Sequence, residues 1–322
     1  MGSQEITVAF STHRPETLGV AERLMADHDT IILEEPPTPG FDRMLTGELS
    51  IEEYLLPVDV EYPNYSRAAC RMLRRLYNKA KRILQVEPYV EILLGIHDYF
   101  ADGGSPEQIS SHSPQYPVYA CEKDATGRLL DYYQTVLRGS FSATVDAVKL
   151  FARSDARRFA LRDRLRVEAL LPLLPDSGSV CIEAGEIHQA FWLELRQRLA
   201  GKARLRRRFL MEAVYQRMAN RCYLFGPGDL LTLRYTFCAP KASRQEDLLA
   251  ARSLIYSKIL EKQEIVESLD AYPHTLNEIE CIQTVNRLSY DDCRKLFSRI
   301  RLAGSDKARD IVDDYVRGMD SD

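Results

Sequence analysis

The chain contains no CxxC pair, and its longest apolar stretches are only as long as a β-strand. Seven widely spaced cysteines argue against a structural zinc motif and against a disulfide framework, and they predict free thiols in a reducing compartment. No apolar run is long enough for a membrane-spanning helix. The N-terminal segment MGSQEITVAF has no basic region followed by an apolar run, so no signal peptide is expected. We therefore expect a soluble cytoplasmic protein with no membrane partner.

The chain has no excess of positive charge. With 43 Lys and Arg against 47 Asp and Glu, its net charge is −4, which argues against a nucleic-acid partner. The basic run Lys202–Arg208 is expected to be a solvated edge strand. Gly226-Pro227-Gly228-Asp229 has no Gly-Lys-Ser/Thr ending, so it is not a phosphate-binding loop and is predicted to be a hairpin turn.

Short apolar runs that end in polar residues are the main structural signal of the chain. Runs of this kind are typical of parallel strands that are buried on both faces. The five runs are Ile6–Phe10, Thr30–Leu33, Ile83–Val86, Val118–Cys121 and Val180–Ile182. A further strand pair is predicted at Arg204–Leu210 and Leu230–Phe237.

Segments with helical spacing lie between these runs, and alternation of strands and helices predicts an α/β fold with a central, mostly parallel sheet flanked by helices. A helical insertion, most simply two helices, is expected at about residues 127–174. We expect an α/β core domain over residues 1–240 and a helical C-terminal extension over residues 241–322, which includes a helix at Gln245–Glu267. The runs Ile6–Phe10, Ile31–Leu33 and Val180–Ile182 should be adjacent or nearly adjacent central strands.

Polar side chains follow most of the predicted strands, and in a parallel sheet ligands bind beyond the carboxyl ends of the strands. These residues are His13, Glu34, Glu35, Glu87, Glu122, Glu183, Glu186 and His188. Two imidazoles and several carboxylates are the donors of a catalytic transition-metal or zinc site. For each glutamate the alternative is a solvated strand end, and for each histidine it is a structural role. Because residues two apart share a face of a strand, Glu186 and His188 are expected to point together and Glu183 elsewhere.

The segment from Phe151 to Arg166 contains six arginines, of which Arg158, Arg162 and Arg166 are spaced along one helix face. An anion clamp over the site and a solvated face are both open interpretations. We favour a mixture in which Arg162 alone points at the site.

The segment from Arg162 to Leu199 resembles the core signature of the TraB, Tiki, erythromycin esterase and ChaN superfamily. That signature is a helix opening with Arg-Asn, an apolar strand, Gly-x-x-His and a further helix. Gly185-Glu186-Ile187-His188 supplies the Gly-x-x-His, and Phe10-Ser11-Thr12-His13 keeps the histidine of the first motif without its glycine. Arg162-Asp163 stands at the Arg-Asn pair, and Glu34 or Glu35 at the acidic position.

The resemblance implies a metal-dependent hydrolase-like site built from His13, Glu34, Arg162 and His188. A divalent metal ion would be bound by the two histidines and Glu34, with Glu35, Glu87, Glu122, Asp163 and Glu186 as additional candidates. The expected partner is a small-molecule or peptide substrate with an amide, ester or acidic group, and a homo-oligomer is a further candidate. The alternative is a non-catalytic protein that binds haem or a metabolite in the same pocket.

Two consequences can be compared with a structure. If their strands are neighbours, the imidazoles of His13 and His188 should lie within about 8 Å of each other. The substitution His188→Ala should abolish metal binding or activity and leave the fold intact, because a residue at a strand end supports little of the core.

Overall fold

The computed structural model describes residues 4–58, 60–238, 243–266 and 268–319. Its strands are β1 (Gln4–Ser11), β2 (Thr30–Leu33), β3 (Arg82–Gln85), β4 (Ser179–Gly185) and β5 (Ala203–Phe209). Its α-helices are α1 (Leu18–Ala26), α2 (Phe41–Thr46), α3 (Ile51–Leu55), α4 (Pro63–Asn78), α5 (Pro88–Ala101), α6 (Tyr116–Arg138), α7 (Phe141–Leu170), α8 (Gln189–Arg198), α9 (Glu212–Ala219), α10 (Pro227–Phe237), α11 (Arg244–Ile259), α12 (Pro273–Asn286), α13 (Tyr290–Ile300) and α14 (Ser305–Met319). None of the helices in these ranges is long and apolar enough to cross a membrane.

The five strands form one parallel sheet in the order β3-β2-β4-β1-β5. The predicted α/β fold is therefore confirmed, as is the expectation that the strands at Ile6–Phe10, Ile31–Leu33 and Val180–Ile182 are central neighbours. The basic strand β5 lies at the edge of the sheet, as predicted. Because all strands are parallel, their carboxyl ends meet at one edge.

Each face of the sheet is covered by its own apolar core. In β2, Ile31 and Leu33 belong to one core while Ile32 belongs to the other, as the two-residue period of a strand requires. Such coverage explains why the strands have near-continuous apolar sequences.

The chain leaves β1 and β4 toward opposite faces of the sheet. Ala21 of α1, which follows β1, belongs to one core, and Phe191 of α8, which follows β4, belongs to the other. Because β1 and β4 are hydrogen-bonded neighbours, their carboxyl ends form a topological switch point. Open α/β sheets place their ligand crevices at such points.

The chain divides into two compact units. The first comprises residues 1–118, 161–223 and 263–273 and contains the sheet, and the second comprises residues 119–160, 224–262 and 274–322 and is helical among its described residues. The second unit has its own apolar core, which includes Val145, Leu254, Val285, Leu296 and Val312. This division differs from the predicted one at residue 240, because residues 119–160 belong to the helical unit; residues 240 and 241 themselves lie outside the described residues.

Two predicted strands are wrong, because both segments are helical. Val118–Cys121 lies in α6, where the buried residues Val118 and Ala125 are spaced by two helical turns. Leu230–Phe237 lies in α10. Its predicted hairpin turn is the helix start, with Pro227 in the first turn and the Gly226 N–H donating to the Asp229 carboxylate at 3.2 Å.

The predicted helical insertion is confirmed as α6 and α7. The predicted helix at Gln245–Glu267 is shorter, because α11 ends at Ile259 where Leu260 adopts an extended backbone. Its predicted last residue, Glu267, lies outside the described residues.

Candidate active site at the carboxyl edge of the sheet

Gly185, the last residue of β4, lies at the centre of the predicted residues. A Cβ atom on Gly185 would lie 3.4 Å from Cδ2 of His188, 3.6 Å from Oε2 of Glu34 and 3.7 Å from Cε1 of His13. Because Cδ2 of His188 and Cε1 of His13 both lie within 3.7 Å of this one point, the two imidazoles are closer to each other than about 8 Å, and the predicted limit is confirmed. A side chain here would fill the space that these three groups surround.

Glu34 follows β2, and its carboxylate contacts several groups of this region. Its Oε1 lies 2.7 Å from Nε2 of His188 and accepts a hydrogen bond of 2.8 Å from Arg162. Its Oε2 accepts a 2.5 Å hydrogen bond from the N–H of Gly185. Burial raises the pKa of this carboxyl, but His188 and two arginines outweigh burial and hold it well below its ordinary value. Glu34 is therefore an ionised, fully partnered carboxylate.

His188 bridges two buried carboxylates. Its Nδ1 contacts Oδ1 of Asp163, and its Nε2 faces Glu34. Burial lowers the pKa of the imidazole, but the charges of Glu34 and Asp163 raise it to about 9. His188 is thus an imidazolium at neutral pH, with both ring nitrogens directed at protein oxygens.

Helix α7 supplies the other members of this group. Nε of Arg162 lies 3.0 Å from a carboxylate oxygen of Glu87, which is 1% exposed. Arg166, also 1% exposed, donates to the carbonyl oxygens of Val86 and Glu183 at 3.0 and 2.6 Å. We call Glu34, Glu87, Arg162, Asp163, Arg166 and His188 the charged network.

His13 differs from His188 in its surroundings. It follows β1 in the left-handed backbone region, with φ of 52°, and its side chain is 39% exposed. Its Nε2 lies 3.7 Å from Oε1 of the buried Glu183, whose pKa is raised by burial although His13 lowers it. The Tyr65 ring meets the imidazole edge to face, with 6.3 Å between centroids. His13 is therefore an accessible imidazole backed by a buried carboxyl.

The structure gathers most of the predicted residues, but not all. Glu35 is exposed and accepts a hydrogen bond of 3.0 Å from Gln85. Glu186 is buried in the turn after β4, where its N–H donates to the Ser11 carbonyl oxygen. Glu122 does not end a strand, because it lies in α6 and pairs with Arg158.

Three expectations about individual side chains are wrong. Glu183 faces the site, because β4 ends at Gly185 and the strand alternation does not extend to His188. Arg162 is not alone, since Arg166 lies in the same network; arginines one helical turn apart share a face, which is the signal that could have identified it. His188 is 4% exposed, so the premise that a residue at this strand end supports little of the core is also wrong; the outcome of His188→Ala itself stays a prediction.

The donors of this site suit a divalent metal in type. The contact between Asp163 and Nδ1 of His188 is the arrangement that orients metal-bound histidines, and it directs Nε2 toward Glu34. Among the described residues, however, no group of three or more His, Cys, Asp or Glu side chains is arranged to hold a metal ion. Occupation would require His188 to release its proton and Glu34 to exchange partners.

Comparison with known proteins places the chain in a family. An uncharacterized protein of Archaeoglobus fulgidus is 31% identical over 293 residues, which cover 91% of this chain and 97% of that protein. The chain belongs to the family of this archaeal protein. The similarity extends over nearly the whole of both chains, so it is not confined to one of the two units. No protein-family model matches the chain, and no solved structure matches it.

Proposed function

We propose that the chain is a hydrolase of small-molecule or peptide amides, esters or related acidic compounds, with its active site between β1 and β4. The observation that supports this most directly is the half-exposed His13 beside the buried Glu183, at a topological switch point. A resemblance to the TraB, Tiki, erythromycin esterase and ChaN superfamily in the two strand–histidine segments supports the same reaction class.

In this proposal His13 is the general base that takes a proton from the attacking water and returns it to the leaving group. Glu183 orients the imidazole and stabilises its protonated form. Arg162, 24% exposed, stabilises the oxyanion that forms on the substrate carbonyl. The remainder of the charged network fixes Arg162 and excludes water from beneath the site.

A divalent metal is part of the proposal as a cofactor that His13, Glu34 and His188 would hold. A bound metal would lower the pKa of a coordinated water toward ~7. With a metal bound, His13 would be a ligand and the coordinated water would take the place of the water that it activates; the roles given above to His13, Glu183 and Arg162 apply without the metal.

A single substitution separates this proposal from a structural role. His13→Asn should retain the left-handed backbone, which asparagine tolerates, and remove the base. Against a panel of amide, ester and peptide substrates, we expect kcat to fall by about 10²–10⁴-fold with an unchanged Tm. His112→Asn, at an exposed histidine, is the matched control. Elemental analysis of wild type and His13→Asn measures the metal in the same preparations. Unchanged turnover in His13→Asn would contradict the proposal.

A second candidate function is a non-catalytic protein that binds haem or a metabolite in the same crevice. The observation in its favour is that both nitrogens of His188 and both oxygens of Glu34 are already engaged, as in a rigid scaffold. This candidate predicts retention of a ligand through purification and no turnover of any substrate in the panel.

A further inference from the structure

Arg14 directly follows His13 and, within the described part of the chain, has no carboxylate at ion-pair distance. Its guanidinium lies over the ring of Tyr62, 4.2 Å from the centroid, and its Nη1 atom is buried without a hydrogen-bond partner among the described residues. Arg162, by contrast, contacts Glu34 and Glu87. A buried guanidinium nitrogen without an acceptor is costly, because it has lost hydration and gained no replacement.

The position of Arg14 relative to the site follows from two paired contacts. His13 meets Tyr65 edge to face, and Arg14 stacks on Tyr62, three positions earlier at the start of α4. Tyr62 is the N-cap of α4 and Tyr65 lies in its first turn, so both rings belong to one short segment. The stacked guanidinium is therefore held against the same segment as the proposed base, its neighbour in the chain.

The start of α4 is itself held in place. The carboxylate of Glu264 accepts hydrogen bonds of 2.9 and 2.7 Å from the N–H groups of Asn64 and Tyr65. These bonds cap the helix in the turn that carries both tyrosine rings. The surface that supports Arg14 is thus preorganised.

We propose that Arg14 binds an anionic oxygen group, a carboxylate or a phosphate, on the molecule that enters the crevice beside His13. A guanidinium fork binds such groups through two parallel hydrogen bonds, and stacking on Tyr62 restricts its orientation beforehand. Resting on the proposed function, this makes the substrate an acyl compound whose anionic group lies on one side of the scissile bond. The basis for this assignment is a contrast in charge pairing: Arg162 and Arg166 each lie within ion-pair distance of a buried carboxylate, whereas Arg14 has no such partner among the described residues.

Binding can be measured without turnover. N-acetylglycine, its neutral analogue N-acetylglycinamide and inorganic phosphate serve as probes, with calorimetry and Tm shift as readouts on the full chain. We expect wild type to bind N-acetylglycine or phosphate and not N-acetylglycinamide, and the preferred anion identifies the group. Arg14→Gln should weaken that binding by about 10-fold or more, the cost of one charge-assisted hydrogen bond.

Two further variants separate charge from fork geometry and from non-specific effects. Arg14→Lys keeps the charge without the fork and should bind with intermediate affinity; it also keeps the test available if Arg14→Gln does not fold. Arg71→Gln, at an exposed position of α4, should bind as wild type does.

The outcomes distinguish this inference from the proposed function. Anion binding that depends on Arg14, in a protein that hydrolyses nothing, supports the inference as a ligand class while the hydrolase proposal fails. Hydrolysis of neutral and anionic substrates at equal kcat/KM, unchanged in Arg14→Gln, overturns the inference and leaves the hydrolase. Absence of anion binding by wild type, or equal loss in Arg14→Gln and Arg71→Gln, also overturns it.

Discussion

Replacing Asp163 with asparagine removes one charge from the charged network with almost no change of shape. Both oxygens of Asp163 accept from donors: Oδ1 from Nδ1 of His188, and Oδ2 from the Phe191 N–H at 2.8 Å. An asparagine has one oxygen and one NH₂ group, so it can satisfy only one of these two donors. As long as His188 is an imidazolium, a buried donor at the start of α8 loses its acceptor whichever way the amide points.

The magnitude follows from the pKa of His188, which the structure raises from 6.5 to about 9. At ~1.4 kcal/mol for each pKa unit, the folded protein stabilises the imidazolium by about 3 kcal/mol, which is the net of the cost of burial and the attraction of the two carboxylates. Removing Asp163 should eliminate about half of this, and the unsatisfied donor adds about 1–3 kcal/mol. We therefore expect Asp163→Asn to lower the free energy of unfolding by about 3 kcal/mol near neutral pH.

The direction in which the free energy of unfolding changes with pH follows from the same pKa. Because the folded pKa of His188 lies above the unfolded value of 6.5, this stabilisation is complete below about pH 6.5 and is lost as the pH rises through about 9. In Asp163→Asn the folded pKa is lower, so the loss still begins near pH 6.5 but should be smaller and complete at a lower pH. Urea unfolding from pH 6 to 10, with an NMR titration of His188, measures both quantities. Asp98→Asn, at an exposed position of α5, is the control. A His188 pKa near 6.5 in wild type, or an Asp163→Asn protein within about 0.5 kcal/mol of wild type, would refute the reasoning.

Two further predictions concern the stability of a His188 variant and the reactivity of the cysteine thiols. His188→Ala should lower the free energy of unfolding by about 3–5 kcal/mol, since it leaves two buried carboxylates without their shared cation, while His112→Ala at an exposed position should not; equal urea midpoints would contradict this. All seven cysteines have free thiols. Of these, the exposed Cys222 and Cys238 should react with a thiol reagent in the native protein well before the buried cysteines do. Peptide mass spectrometry checks this order, and labelling of Cys181 before Cys222 would contradict it.

Much of the sheet could be predicted because its strands are buried on both faces. Ile31, Ile32 and Leu33 are all fully or almost fully buried, and a short apolar run rich in β-branched residues is typical of a strand covered on both faces. The two wrong strands show the limit of that argument. Val118–Cys121 and Leu230–Phe237 have apolar or β-branched residues of strand-like composition, and periodicity alone does not separate a short apolar strand from one face of a helix.

The candidate site could be predicted to the extent that the parallel topology determines it. The residues after β1, β2 and β4 had to meet once those strands were neighbours, however far apart they are in the sequence. The positions of the strand ends did not predict which other side chains each of these residues would contact. Tyr65 illustrates this: Pro63 marks where α4 begins, but it does not indicate that the Tyr65 ring meets His13.

The different environments of the two histidines follow from one helix. Helix α7 places Asp163 against His188, so this imidazole is enclosed between two carboxylates and holds its proton to about pH 9. His13 lies at ion-pair distance from Glu183, and its side chain is 39% exposed. A buried imidazolium with both nitrogens engaged is suited to hold a structure together, whereas an accessible imidazole with one buried carboxyl is suited to transfer protons. The same residue type at two neighbouring strand ends thus takes two roles, and the assignment of acid–base chemistry to His13 rests on that asymmetry.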